Sequence, residues 1–258
     1  MEQAKAGKHT VEVKQVMIGW RGRIGLLVPA TNSVMEADFG KYLPDGVAAY
    51  ASRMYKSTEV AVEKLEEMLS YAEDAAKLLT KVGIDIIIFG CTSASFITGL
   101  EGDKAIQQKI ARTTGVHTTT ATTAILRALS ATGRNQVALI TPYHVSVHRK
   151  LEELLHEQGY TITTSATMDP NASKDVEGMV PEQIYRYVKA NVDDNAELVL
   201  ISCTTIRSME AIEQLEKDLQ IPVITVNQAC IWDALTHLKI FDPVAGAGWL
   251  LQHGYDVK

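Results

Sequence analysis

"IDIIIFGCTSAS" (residues 84–95) and "AELVLISCTTIR" (residues 196–207) follow one plan. Each is an apolar run that ends in a small residue, then Cys-Thr and a second hydroxyl residue: Gly90-Cys91-Thr92-Ser93 and Ser202-Cys203-Thr204-Thr205. Short, unalternating apolar runs are the signature of strands buried on both faces. "RIGLLVP" (23–29), "QVALITP" (136–142) and "IPVITV" (221–226) carry the same signature.

Helical patterns separate these runs. "STEVAVEKLEEMLSYAEDAAKLLTKVG" (57–83) offers Ser57 or Thr58 as a cap and Gly83 as a stop. "VSVHRKLEELLHEQG" (145–159) and "MEAIEQLEKDL" (209–219) have helical apolar spacing. Strand and helix in alternation mean βαβ units, hence parallel sheets with right-handed crossovers. The order also repeats: "RIGLLVPAT" matches "QVALITPYH", and each precedes one Cys-Thr strand end. The expected fold is therefore α/β, with two pseudosymmetric halves built of parallel sheets flanked by helices. The first half is expected over 20–125 plus 221–258, the second over 126–220, and residues 1–19 read as an N-terminal extension.

Ligands of open parallel sheets bind outside the carboxyl ends of the strands. Pro29–Asn32, Cys91–Ser93, Thr141–Tyr143, Cys203–Thr205 and Asn227 all fall at such ends. If the halves face each other, these clusters meet in one cleft, and the two cysteines form its opposite walls.

Composition bounds the chemistry. The 258 residues are 46% hydrophobic and 22% charged, as in ordinary soluble proteins. A formal net charge of −6, with scattered cations such as Lys5, Lys8, Lys14, Arg21 and Arg23, argues against a nucleic-acid partner. No run approaches the roughly 18 apolar residues of a membrane span, and the first residues carry no signal-peptide core. The expectation is a cytoplasmic protein without membrane partners. Three widely spaced cysteines suit neither a disulfide framework nor a zinc site. No metal-ligand spacing and no strand-to-helix Gly-rich fingerprint occur ("GWRGRIG" precedes a strand), so no metal or cofactor is expected. Homodimers being the commonest assembly, a homo-oligomer is expected.

A cysteine at a helix N-terminus loses its proton more easily. Cys91 and Cys203 both read as such strand-to-helix turns, and Thr92, Ser93, Thr204 and Thr205 add donors suited to a carboxylate or oxyanion. Cys230, in "NQACIWDAL", reads as core. Asn32 can bind a carboxylate edge or cap a helix, and Tyr143 can donate to a substrate oxygen. Arg53 and Arg207 are candidate carboxylate partners. His144 and His148 read as an exposed helix face.

At these residues the chain resembles the aspartate/glutamate racemase superfamily, in its maleate cis-trans isomerase and arylmalonate decarboxylase branch. "PATNSVME", "GCTSASF", "TPY", "SCTT" and "PVITVNQACIWDAL" carry the resemblance, which spans Arg23 to Leu251. The amino-acid racemases have acidic and histidine partners beside their thiols, which Ala30-Thr31-Asn32 and Cys203-Thr204-Thr205 lack. The decarboxylases have glycine at the first cysteine position, whereas both cysteines stand here, as in maleate isomerases. Those isomerases also use an asparagine before the second cysteine strand; Asn171 is available, in a loosely matching segment.

The resemblance implies a two-fold pseudosymmetric fold and cofactor-independent isomerisation of maleate to fumarate. Cys91 would add to the alkene, Cys203 would protonate the neighbouring carbon, and Asn32, Thr92, Ser93, Tyr143, Thr204, Thr205 and Asn227 would hold the carboxylates. The alternatives are racemisation of aspartate, glutamate, a hydantoin or a related carboxylate, and decarboxylation of a disubstituted malonate. A non-catalytic dicarboxylate sensor is the rival from outside enzymes, though binding alone does not need two activated thiols.

Overall fold

A computed structural model describes residues 17–55, 65–168 and 178–255. Two four-stranded parallel sheets form its frame. The first contains β1 (Gly22–Pro29), β2 (Val47–Met54), β3 (Ile86–Phe89) and β4 (His117–Thr120), in the order β2-β1-β3-β4. The second contains β5 (Gln136–Thr141), β6 (Thr161–Thr167), β7 (Leu198–Ile201) and β8 (Val223–Thr225), in the order β6-β5-β7-β8. The two orders are the same, which is the pseudosymmetry the repeated motif predicts.

The five apolar runs of the sequence are β1, β3, β5, β7 and β8. One assignment needs correction. Residues 221–226 were expected in the first half, but Val223–Thr225 pairs with β7 and completes the second sheet. The Ser57 and Thr58 cap falls outside the described residues, as do Asn171 and most of the 1–19 extension.

Alternation along the first sheet divides its side chains between two cores. Ile24, Leu26, Val28, Ile86 and Ile88 enter a core that continues through the strands of the second sheet. Leu27, Ile87 and Phe89 point the other way, under α2 (Leu65–Leu79) and α4 (Gly99–Thr114), against Ala72, Ala76, Ile106 and Ile110. Each fully buried Ile or Leu contributes about 1.5–3 kcal/mol of transfer free energy.

Two helices join the halves. α5 (Ala121–Ala131) follows β4, and α9 (Val226–His237) follows β8 and packs along it. Ala121, Ala124, Ala128 and Ala229 are fully buried, and these small side chains permit a close approach. Buried Asp233 of α9 ties the pair, accepting from Thr119 Oγ1 at 2.6 Å and pairing with Arg127 of α5 at 2.9 Å. α1 (Val34–Tyr42) packs against both β2 and α9.

Candidate active site

Cys91 ends β3 and is the N-cap of the five-residue helix α3 (Thr92–Phe96). Glycine precedes it where space is tight: a Cβ at Gly90 would lie 2.5 Å from Met35 Sδ and 3.0 Å from the Leu27 carbonyl oxygen. Ser95 Oγ joins α3 to α5 through Thr122 Oγ1 at 2.6 Å. Ser93 Oγ lies 4.0 Å from Cys91 Sγ.

Cys203 departs from the expected helix start. Residues 202–208 are irregular, and the chain re-enters helical structure only at a 3-10 turn, Met209–Ala211, before α8 (Ile212–Leu219). The Cys203 turn instead closes on its own sulfur: the Thr205 N–H donates to Cys203 Sγ at 3.4 Å, and Thr205 Oγ1 lies 3.1 Å from it. The turn takes this form because Thr204 is held from the first half. Thr204 Oγ1 donates to the Gly90 carbonyl at 3.3 Å and accepts from Asn32 Nδ2 at 3.1 Å. The Thr204 carbonyl accepts from Asn32 Nδ2 at 3.3 Å and Asn227 Nδ2 at 3.2 Å. One residue after Cys203 is thus tied to the residue before Cys91.

Tyr143 closes the group. Its ring lies 6.0 Å from that of Phe96 in α3, and its backbone N–H donates to Thr141 Oγ1. Burial drives its pKa well above the ordinary phenol value, the charge on Cys203 adds to this and that on Cys91 adds less. Both thiols therefore lie within electrostatic reach of one phenol. The Ser202 and Thr92 hydroxyls lie beside it and oppose the rise. Thr92 Oγ1, Ser202 Oγ and Tyr143 OH are each buried without a protein partner in hydrogen-bond geometry. Three such hydroxyls beside two thiols have donors left over for a ligand oxygen. Cys91 is 2% exposed and Cys203 7%, so the site is closed to solvent in this conformation.

Several expected ligand contacts prove to be framework. Asn32 Oδ1 accepts from the Val34 and Met35 N–H groups at 3.0 Å each, the helix-capping alternative, and its Nδ2 is spent on Thr204. Asn227 is fully buried and donates to Asp38 Oδ2 at 2.7 Å, while its Oδ1 has no partner. Both amides donate to the Thr204 carbonyl. Arg53 pairs with Glu36 and donates to the Asn32 carbonyl at 2.8 Å. Arg207 pairs with Glu210 at 2.8 Å.

His148 is buried rather than exposed. Its ring nitrogens meet Thr141 Oγ1 and Ser165 Oγ, each at 2.8 Å, so it braces the turn that carries Tyr143. His144 is exposed and caps α6 (Val145–Glu157). Cys230 is buried in α9, and burial pushes its thiol far above the ordinary range, which fits a core residue. Sequence reading missed Ser202 as a donor and Asp38 altogether. The repeated strand ending could have drawn attention to Ser202, but nothing in the spacing marks Asp38. Among the described residues, no group of three or more His, Cys, Asp or Glu could hold a metal.

A family model described as arylmalonate decarboxylase matches residues 24–251. The arylmalonate decarboxylase of Bordetella bronchiseptica is 28% identical over 237 residues, covering 90% of this chain and 94% of that protein. The maleate isomerase of Geobacillus stearothermophilus is 24% identical over 247 residues, covering 90% and 98%. A solved Nocardia farcinica maleate cis-trans isomerase, a cysteine-to-serine variant with a covalently bound succinylcysteine intermediate, superposes with a TM-score of 0.80 at 23% identity, covering 90% of this chain and 98% of that one. The repeated β-α order and a family match across nearly the whole chain agree: this protein belongs to the arylmalonate decarboxylase family, whose fold maleate isomerases share.

Proposed function

We propose that this protein is a cofactor-independent cis-trans isomerase that converts maleate to fumarate. One observation carries the reading: both strand-end cysteines are present and interact with one buried phenol, Tyr143, which with the Thr92 and Ser202 hydroxyls lacks a protein partner. Addition to an alkene needs a nucleophile at one carbon and a proton donor at the next, which is a task for two thiols. The Cys91 thiolate forms a C–S bond with one alkene carbon, the π electrons move to the other, and the Cys203 S–H protonates it. Rotation about the resulting single bond follows. The Cys203 thiolate then removes a proton, the C–S bond breaks, and fumarate leaves with Cys91 again a thiolate.

Thr92, Ser202 and Tyr143 are the donors for the carboxylate that gathers charge in this sequence, with Ser93 and Thr205 beside the sulfurs. Asn32, Thr204 and Asn227 act as the frame. The succinylcysteine in the Nocardia isomerase is the kind of adduct this sequence passes through, and it supports the reading.

The test follows the olefinic protons of maleate by NMR, in reducing buffer without added metal or cofactor. Fumarate is expected, and Cys91→Ala and Cys203→Ala are each expected to lower kcat by at least about 10³-fold. Turnover that persists in Cys91→Ala would overturn the assignment. A second reading, decarboxylation of an arylmalonate with Cys203 as proton donor, is favoured by the 28% identity to the Bordetella enzyme. Carbon dioxide release from phenylmalonate without maleate turnover would establish it. The remaining finer expectations, a cytoplasmic location and a homo-oligomer acting on small dicarboxylates, belong to this proposal. Size-exclusion chromatography with light scattering tests the assembly.

A further inference from the structure

The peptide joining Thr204 to Thr205 is hydrogen-bonded at both ends. Its carbonyl oxygen accepts from Asn227 Nδ2 at 3.2 Å and from Asn32 Nδ2 at 3.3 Å. Its N–H donates to Cys203 Sγ at 3.4 Å. Donation to a carbonyl oxygen polarises the whole amide and strengthens its N–H as a donor, because hydrogen bonds in a chain reinforce one another. Both donors are held in place. The helix start fixes Asn32 through Oδ1, and Asp38 fixes Asn227 by accepting its second amide hydrogen at 2.7 Å. All of these groups except Thr205 are buried, so the chain of bonds runs through low dielectric where each is stronger.

Cys91 has no such counterpart among the described residues. It sits at the start of α3 without a side-chain capping bond, and Ser93 Oγ lies 4.0 Å from its sulfur. The two halves share a strand order but differ at this point, and the difference falls on one of the two sulfurs.

We infer that Asn227 and Asn32, with Asp38 as the brace of Asn227, are positioning residues that polarise the Thr204–Thr205 peptide and thereby stabilise the thiolate of Cys203. This rests on the proposed function only for its use: a stabilised thiolate makes Cys203 a stronger acid towards the substrate carbon and accommodates the anion left after that transfer. Hydrogen bonding to the charged form lowers a pKa, typically by a unit or more for a good donor. Among the titratable groups, Tyr143 interacts with both Cys203 and Cys91. Those facing Asp38 are Glu210 and Arg207 from the second half and Lys41 on its own helix.

The test reads sulfur chemistry rather than turnover. Full-length protein is treated with iodoacetamide between about pH 5 and 10, and carboxamidomethylation of the Cys203 and Cys91 peptides is timed by mass spectrometry. Opening of the closed site affects both cysteines and cancels in their ratio. In Asn227→Leu the Cys203 midpoint is expected to rise by about one pH unit while that of Cys91 stays in place. Asp38→Asn keeps an acceptor for Asn227 and is expected to leave both midpoints within about 0.3 unit. If the single leucine variant does not melt cooperatively, Asp38→Leu/Asn227→Leu replaces both partners and leaves no buried charge unpaired.

An unmoved Cys203 midpoint, or equal movement of both cysteines, would overturn the inference. A downward shift in Asp38→Asn would overturn it too, because the field of a carboxylate would then govern the sulfur. None of these readings requires maleate to be the substrate. A protein that shows the Cys203 shift but makes no fumarate retains the inference and loses the proposed function.

Discussion

Tyr143 separates activity from stability within one side chain. Its hydroxyl is buried without a partner, so removing it relieves a desolvation cost instead of breaking a bond. Tyr143→Phe is therefore expected to melt at the same temperature as the parent or slightly higher, while kcat for maleate falls about 10–100-fold. Differential scanning calorimetry and the NMR assay on one preparation decide this; a large loss of stability would mean the hydroxyl serves the fold. Asp38 makes the opposite kind of prediction. Burial pushes its carboxyl up to about 6, against the opposing hydrogen bond from Asn227. A folded pKa above the unfolded value, near 3.9, means the native state holds the proton more tightly, so stability falls as pH rises from about 4 to 6. The full effect of about two units is on the order of 3 kcal/mol. The melting difference between parent and Asp38→Asn should widen across that window, in favour of the variant, and then level off. At this scale the sequence showed which residues gather, but not what each one holds. Asn32 and Asn227 are recognisable as strand-end amides, yet only the path of the chain reveals that Thr204 occupies both. Ser202 has the same chemistry as its neighbours, and its role depends on burial, which spacing does not reveal.

Elements were legible where burial is two-sided. β1, β3, β5 and β7 are central, and β8, though an edge strand, is buried under α5, α8 and α9, so their apolar runs stand out. β2 and β6 are edge strands, half exposed, and "TITTSAT" has too few apolar residues to form a run. β4 reads "HTTT", three buried threonines, of which Thr119 and Thr120 turn their hydroxyls to neighbouring helices, so its burial leaves no apolar trace. Helix starts divide in the same way. Thr225 caps α9 by accepting from the Gln228 N–H, and Gln228 Oε1 accepts from the Thr225 N–H in return. Ser33, at the start of α1, makes no side-chain cap. Thr225→Ala is expected to cost about 1–2 kcal/mol and Ser33→Ala less than about 0.5, read from urea midpoints at constant slope. Equal costs would show that α9 is held by packing alone.

Across the whole molecule the two halves are alike in strand order but not independent. Central-face residues of both sheets belong to one continuous core, and α5 and α9 pack along each other across the division. One calorimetric transition is therefore expected, with van't Hoff and calorimetric enthalpies in agreement. Two transitions would mean that each sheet carries its own stability. The misplaced boundary near residue 220 has the same cause: a chain whose last strand completes one sheet and whose next helix packs on the other half has no clean linker for sequence to show.

The closed site has a consequence for the lifetime of the protein. With Cys91 2% and Cys203 7% exposed, peroxide in solvent has little direct access to either sulfur. A sulfur activated for chemistry is also one prepared for oxidation to sulfenic and sulfinic acids. Under the proposed function, any exposure of the sulfurs that permits turnover also permits irreversible ageing, and bound substrate would shield them.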